Sequence, residues 1–199
     1  MKKHFFNYFN WIKKNYLNSK SNIIEIGSND GTMLVNFKNE GFEYIGFEPS
    51  MSVANKAKEN NINTLDEFFC YKNVNLLSKY KHNTDVICAA NVVCHIPDIT
   101  DLIKSVDLLL TLKGVFIFEE PYLGSMFDKV SYDQIYDEHI YMFSVSSVQK
   151  IFGRFDMELI EAHPQETHGG SMRYVIARKN QRDIKGNLKN IIQYEKKEG

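Results

Sequence analysis

Nothing in this sequence stays apolar for the roughly 18 positions that a membrane-crossing helix requires, so no such helix is expected among its 199 residues. Cysteine is scarce: Cys70, Cys88 and Cys94 are an odd number and include no C-x-x-C pair. That argues against a disulfide frame and a structural zinc, and it points to a reducing compartment, with a cytoplasmic location as the expectation. An excess of one charge is missing too. Twenty-four Lys and Arg against 25 Asp and Glu leave a formal net charge of −1, so no global field recruits nucleic acid or an anionic membrane. Internal repeats and low-complexity segments are also absent.

What is present is ordinary for a soluble globular chain: 43% hydrophobic and 25% charged residues, enough for one domain with a real core. The opening MKKHFFNYFNWIKKNYL has a basic start but no continuous apolar run and no small-residue cleavage site. It reads as an amphipathic helix within residues 1–20, with Phe5, Phe9, Ile12 and Tyr16 at helical spacing, rather than as a secretory leader.

Strands and helices then alternate. Ile23, Ile24 and Ile26 form a β-branched run ending at Gly27. Thr32 to Asn39 reads as helix, stopped by Gly41. Tyr44 to Phe47 is a second strand, and Ser50 to Asn60 a helix with Ser50 or Ser52 as its cap. Ile62 to Thr64 is a short third strand and Asp85 to Ala90 a fourth. Thr100 to Leu112 is helical, with Gly114 as its C-terminal stop. Val115 to Phe118 is the fifth strand. This order predicts an α/β fold with a mostly parallel sheet and helices on both faces. Residues 121–143 have no clear period and read as a long irregular insertion, the kind of segment that carries function. Ser146 to Phe152 reads as helix. Phe155 to Ala162 and Met172 to Ala177 are late strands close in sequence, an antiparallel feature that closes a domain over residues 21–180. Residues 181–199 form a polar helical tail.

Ligands of open α/β sheets sit beyond the carboxyl ends of the strands. The loop there is E-I-G-S-N-D-G, with Gly27 for a tight turn and Gly31 for close backbone approach. A pyrophosphate site would want three glycines and no acids. Here two glycines stand among Glu25 and Asp30, and Glu48 ends the second strand, where its carboxylate can accept hydrogen bonds from both hydroxyls of a ribose. That charge pattern suits a cationic nucleoside without phosphate, S-adenosylmethionine rather than NAD, and disfavours a dehydrogenase.

EIGSNDG, FEPS, NVVCHIPD, FEEPYL, IYDEH and HGGSMRY follow one another in order over residues 23–174. Together they resemble the S-adenosylmethionine-dependent sugar C-methyltransferases that act on nucleotide-linked 4-keto-deoxysugars. The resemblance implies the class I methyltransferase fold, a Rossmann-like seven-stranded sheet with a final antiparallel strand. It implies that Glu25, Gly27 and Asp30 line the methionine side of the cofactor, with Gly31 among the cofactor-binding residues, and that Glu48 holds the ribose. Asp66, Glu67 and Phe68 fall where such folds contact adenine, and Asn91 and Val92 behind the sulfonium. His139 matches the general base, Tyr136 and Glu138 its neighbours, and His95 a second active-site histidine. The family normally carries a cysteine-rich zinc domain before this part and a C-terminal domain after it. The expectation is therefore a fragment or a shortened relative whose tail begins a missing C-terminal region, with a partner chain as a source of missing lobes.

Methylation at carbon needs a carbanion equivalent. The proton beside the ketone of a 4-keto sugar is acidified because its loss gives an enolate. Histidine, with an ordinary pKa of about 6.5, is suited to removing it. Glu138 is expected to orient or stabilise that imidazole, while Tyr132, Tyr136 or His95 donates to the enolate oxygen. His168 is read as a contact for substrate phosphate together with Arg173, or as a residue that shapes the turn through Gly169-Gly170. No metal is expected: Cys94 beside His95 finds no third ligand at a fitting spacing and reads as a packing residue. The alternatives are O-methylation of a sugar or small-molecule hydroxyl, and a non-catalytic cofactor-binding module.

Overall fold

The computed structural model describes residues 1–198; Gly199, the end of the expected tail, lies outside them. Eight α-helices are described: α1 (Lys2–Tyr16), α2 (Leu34–Asn39), α3 (Met51–Glu59), α4 (Tyr71–Val74), α5 (Ile99–Leu109), α6 (Leu123–Lys129), α7 (Val145–Phe152) and α8 (Asn187–Glu198). The strands are β1 (Asn22–Ile26), β2 (Glu43–Phe47), β3 (Thr64–Leu65), β4 (Thr84–Ala90), β5 (Leu110–Pro121), β6 (Met157–Gln165) and β7 (Ser171–Arg178). They form one seven-stranded sheet in the order β3-β2-β1-β4-β5-β7-β6. β1 pairs in parallel with β2 and β4, and β2 with β3, whereas β6 and β7 are antiparallel to each other. The Rossmann-like expectation is met. Among the described residues no helix is long and apolar enough to cross a membrane.

The described chain divides into two compact units. One comprises Met1–Ala89 with Thr100–Val115, the other Ala90–Ile99 with Phe116 onward. In the first, Ile23, Ile24, Ile26, Phe47, Val86 and Ile87 are almost completely buried. Strands covered on both faces need such continuous apolar runs. α1 belongs to this unit: the Phe9 ring meets Phe37 edge-on at 4.9 Å, and the Tyr8 hydroxyl donates to Ala89 O at 3.4 Å. In the second unit the core is aromatic. Phe118 stacks on Phe116 and Tyr174 at 5.1 and 4.9 Å and meets Phe143 and Phe152 within 6 Å.

Three expectations need correction. Gly114 does not stop a helix. α5 ends at Leu109, Leu110 to Leu112 enter β5, and the glycine lies inside that strand. Its reason is steric, since a Cβ there would sit 2.8 Å from the Thr84 carbonyl oxygen. The span 121–143 is not wholly irregular, because α6 occupies Leu123–Lys129 and a single 3-10 turn Tyr132–Gln134. The helical residues there are too few to show a period in the sequence. The third strand is Thr64–Leu65, placed later than expected by its pairing with Gly46 and Phe47. A cap the sequence also offered went unread: Ser144 caps α7 with its hydroxyl on Ser147 N–H, and Ser147 Oγ answers the Ser144 N–H. Such a reciprocal box satisfies two otherwise unpaired donors.

Phe118→Ala should remove about 3–5 kcal/mol of stability, the cost of truncating a buried aromatic. Chemical denaturation monitored by circular dichroism measures it, and a loss below about 1 kcal/mol would show that the stack does not organise this unit.

Candidate active site

The chemistry-bearing residues gather in two clusters, one in each unit. The first is the turn after β1. Gly27 and Gly31 have φ of 66° and 81°, and Asn29 shares that left-handed region at 49°. Three such residues in five fold the loop back on itself, with Gly31 N–H donating to Ser28 O and Ser28 N–H to Phe47 O. Gly31 also lacks room for a side chain: a Cβ would sit 2.9 Å from Ile62 Cγ1. Glu48 pins the turn, with Oε2 accepting from Asn29 N–H at 3.1 Å and Oε1 from Ser50 N–H at 2.9 Å. Ser50 does precede α3, but its hydroxyl faces Ser52 Oγ rather than a backbone amide. Asp30 is tied to Thr32 through both its amide and its hydroxyl.

Glu25 lies beneath this turn, 4% exposed, with Oε2 unpartnered. Burial, then the nearby charges of Asp30 and Glu48, push its carboxyl well above the usual range. Ser28 Oγ is likewise buried and unpartnered. A buried carboxyl with an unpaired oxygen, beside an unused hydroxyl and a turn of left-handed residues, is matched by a ligand that brings positive charge and hydrogen-bond donors. The ammonium, sulfonium and ribose hydroxyls of S-adenosylmethionine meet that description, and a pyrophosphate does not.

On the expected adenine side, Asp66 is exposed and ion-paired with Lys58 at 2.8 Å, and Glu67 accepts from Asn73. Phe68 is 71% exposed while its neighbour Phe69 is buried against Phe47. Phe68 is thus an unused ring face at the end of β3.

The second cluster lies in the other unit. Asn91 has φ of 55°, donates its N–H to Glu119 O, and leaves Oδ1 buried and unpartnered. The turn that follows, Val92 to His95, is held by Glu120. Its Oε1 accepts from Val92 N–H at 2.9 Å and Val93 N–H at 2.6 Å, while its Oε2 is buried without a partner. Burial raises the Glu120 carboxyl above its ordinary value, and burial with the Glu120 charge raises the Cys94 thiol. His95 Nδ1 lies 2.6 Å from Glu138 O, and His139 Nδ1 lies 2.8 Å from Gln134 O. The two imidazoles are 5.0 Å apart, and the Tyr136 ring is 4.1 Å from His139. Ile140 and Tyr141 N–H groups both reach Cys94 O, which ties the histidine segment to this turn.

His139, Tyr136 and His95 are therefore brought together, as expected. Glu138 contributes differently: its carboxylate is on the exposed side and its backbone carbonyl fixes His95. Tyr132 is 61% exposed, and His168 is exposed with φ of 49°. Arg173 turns inward. It is 5% exposed and places Nε 2.7 Å and Nη2 2.5 Å from Glu119 Oε1. Its guanidinium is engaged by a buried carboxylate rather than presented to a phosphate. Sequence reasoning placed Glu119 and Glu120 at the end of the fifth strand but gave them no role. The signal was available in FEEP, where two acids in a strand interior must both be buried and each must find a use.

A family model described as a methyltransferase domain matches residues 5–162. C-methyltransferase NovU of Streptomyces niveus is 27% identical over 150 residues, which are 75% of this chain and 36% of that protein. The chain thus spans about a third of the length of that curated relative. Among solved structures, magnesium protoporphyrin IX methyltransferase (ChlM) of Synechocystis PCC 6803 with bound SAH superposes with a TM-score of 0.67 at 13% identity, covering 89% of this chain and 83% of that one. The PH0226 protein of Pyrococcus horikoshii OT3 gives 0.68 at 14%, covering 89% and 91%. These likenesses establish the shared fold.

Two outcomes follow from the buried charges. The folded-state pKa of Glu25 lies above its unfolded value of about 4.5, so its neutral form stabilises the ligand-free chain fully below that pH. That contribution is lost as pH rises towards the folded value. Glu25→Gln should flatten this part of the decline and raise the ligand-free melting temperature near neutral pH; an unchanged pH profile in thermal melts would contradict the burial. Arg173→Met removes the buried ion pair with Glu119 and should cost about 3–5 kcal/mol in denaturant unfolding. A stable Arg173→Met protein would return Arg173 to the substrate-contact reading.

Proposed function

The chain belongs to the methyltransferase domain family, and from that premise we propose that it directs a methyl group from S-adenosylmethionine to a carbon of a nucleotide-linked keto-deoxysugar. Glu25 and Asp30 are suited to the ammonium, Glu48 to the ribose hydroxyls, and the Gly27–Gly31 turn to close approach of the ligand. Asp66 and Phe68 are candidates for the adenine, and Asn91 and Val92 for the region of the sulfur. S-adenosylmethionine, when bound, supplies an electrophilic methyl on a positively charged sulfur.

The observation that supports base-assisted methyl transfer is the setting of His139. A neutral imidazole whose Nδ1–H donates to the Gln134 carbonyl keeps its lone pair on Nε2. It is a base held in one tautomer, flanked by a second imidazole, His95, oriented in the same way by the Glu138 carbonyl. His139 takes the proton from the carbon beside the ketone. A Tyr136 or Tyr132 hydroxyl donates to the enolate oxygen that forms. His168 lies exposed for a polar part of the substrate. The partial likeness to a C-methyltransferase supports the same target.

Solvent-deuterium exchange at the carbon beside the ketone, measured with a nucleotide-linked 4-keto-deoxysugar before any methyl donor is added, tests this reading. The wild-type chain should catalyse exchange, and His139→Ala should slow it by about 10²–10⁴-fold, the range for removing a positioned general base. S-adenosylhomocysteine should still bind the variant, because the residues assigned to the cofactor are intact. Exchange at the wild-type rate in His139→Ala would refute the base assignment. Methyl transfer without any exchange would instead favour oxygen as the acceptor.

A further inference from the structure

Cys94 lacks a third ligand in the sequence, but the fold supplies one. One ring nitrogen of His95, one of His139 and Cys94 Sγ all lie within 4.8 Å of one another. We propose that Cys94, His95 and His139 form a three-ligand site for zinc, with the fourth coordination position open.

Donor chemistry is the first support. Two imidazoles and a thiolate are a borderline-soft set that matches zinc and suits magnesium or calcium poorly. The second is the state of the imidazoles. Metal-binding histidines almost always donate their other ring N–H to a carbonyl or carboxylate, which fixes the tautomer. In His95 and His139 the Nδ1 atoms lie against Glu138 O at 2.6 Å and Gln134 O at 2.8 Å, which leaves the Nε2 lone pair of each ring for a metal. Carbonyls that hold two neighbouring rings in the same tautomer make this more than a chance gathering of side chains.

The third support is charge. The Glu120 carboxylate lies buried against the Cys94 turn with Oε2 unpartnered. A divalent cation bound to one thiolate carries a net single positive charge, which Glu120 balances. On binding, the Cys94 S–H bond breaks, a sulfur–zinc bond forms and the proton leaves to solvent. Tetrahedral zinc with bonds of about 2.0–2.3 Å wants donors about 3.3–3.8 Å apart, so the three side chains close by roughly 1 Å. The metal site stands without the base assignment, but one consequence rests on it: zinc at His139 occupies the lone pair that proton removal uses, so zinc inhibits.

The test is a titration of the ligand-free chain with cobalt(II), a spectroscopic substitute for zinc. The wild-type chain should bind one equivalent, with intense tetrahedral visible bands and a near-ultraviolet thiolate-to-cobalt transition, and one equivalent of zinc should displace both. Cys94→Ser should abolish the thiolate band. His139→Gln should weaken binding more than tenfold and should reduce the tetrahedral intensity even if Cys94→Ser fails to fold. Cys70→Ser should leave every band in place, because that cysteine lies outside the cluster. A wild-type spectrum without a thiolate band, a band that survives in Cys94→Ser, or titration without saturation would overturn the site. In the deuterium-exchange assay, zinc at one equivalent should suppress exchange. A normal cobalt spectrum with undiminished exchange would leave the metal site in place and refute the base assignment and the inhibition drawn from it.

Discussion

A carboxylate buried with one oxygen unpaired is costly, and this chain keeps one in each of its units. Glu25 sits at the end of β1 and Glu120 at the end of β5, both excluded from water and each with Oε2 unmatched. Removing a charge from water without compensation costs several kcal/mol in real proteins. Glu120 offsets part of that cost by collecting the Val92 and Val93 amides, whereas Glu25 is left for a ligand that brings the missing charge or donors.

The surrounding backbone follows from these two groups. Around Glu25 the chain turns through three left-handed residues, and Glu48 holds the turn by its amides, leaving Glu25 and Ser28 unused. Around Glu120 the chain makes a 3-10 turn whose first amides the carboxylate collects, which sets Cys94 and His95 in place. Carbonyls of Gln134 and Glu138 then fix the two imidazoles. The first arrangement suits a cationic nucleoside. The second suits proton removal by an imidazole, or a soft metal ion on the same donors.

Much of this was legible in the sequence. Parallel strands buried on both faces announce themselves as unbroken β-branched and aromatic runs, so β1, β2, β4 and β5 could be read directly. The acid pattern of EIGSNDG with Glu48 carried the choice of nucleoside over pyrophosphate, because charge is visible without coordinates. Short elements were not legible: α4 and α6 complete too few turns to impose a period. Gly114 misled because a glycine needed for close packing looks in sequence like one needed for a cap. Long-range pairings were invisible for a different reason. Arg173 meets Glu119, and His139 joins Cys94 and His95, only because separate segments converge. No spacing rule reports that convergence.

The β1 turn is built for a phosphate-free cationic nucleoside. Calorimetric titration of S-adenosylmethionine and, in parallel, NAD into the wild-type chain and Glu25→Gln tests it most directly. The account predicts saturable binding of S-adenosylmethionine, weakened about tenfold or more in Glu25→Gln by loss of a charge-assisted contact, and no binding of NAD. No binding of S-adenosylmethionine up to millimolar concentration, or NAD bound as tightly, would contradict it.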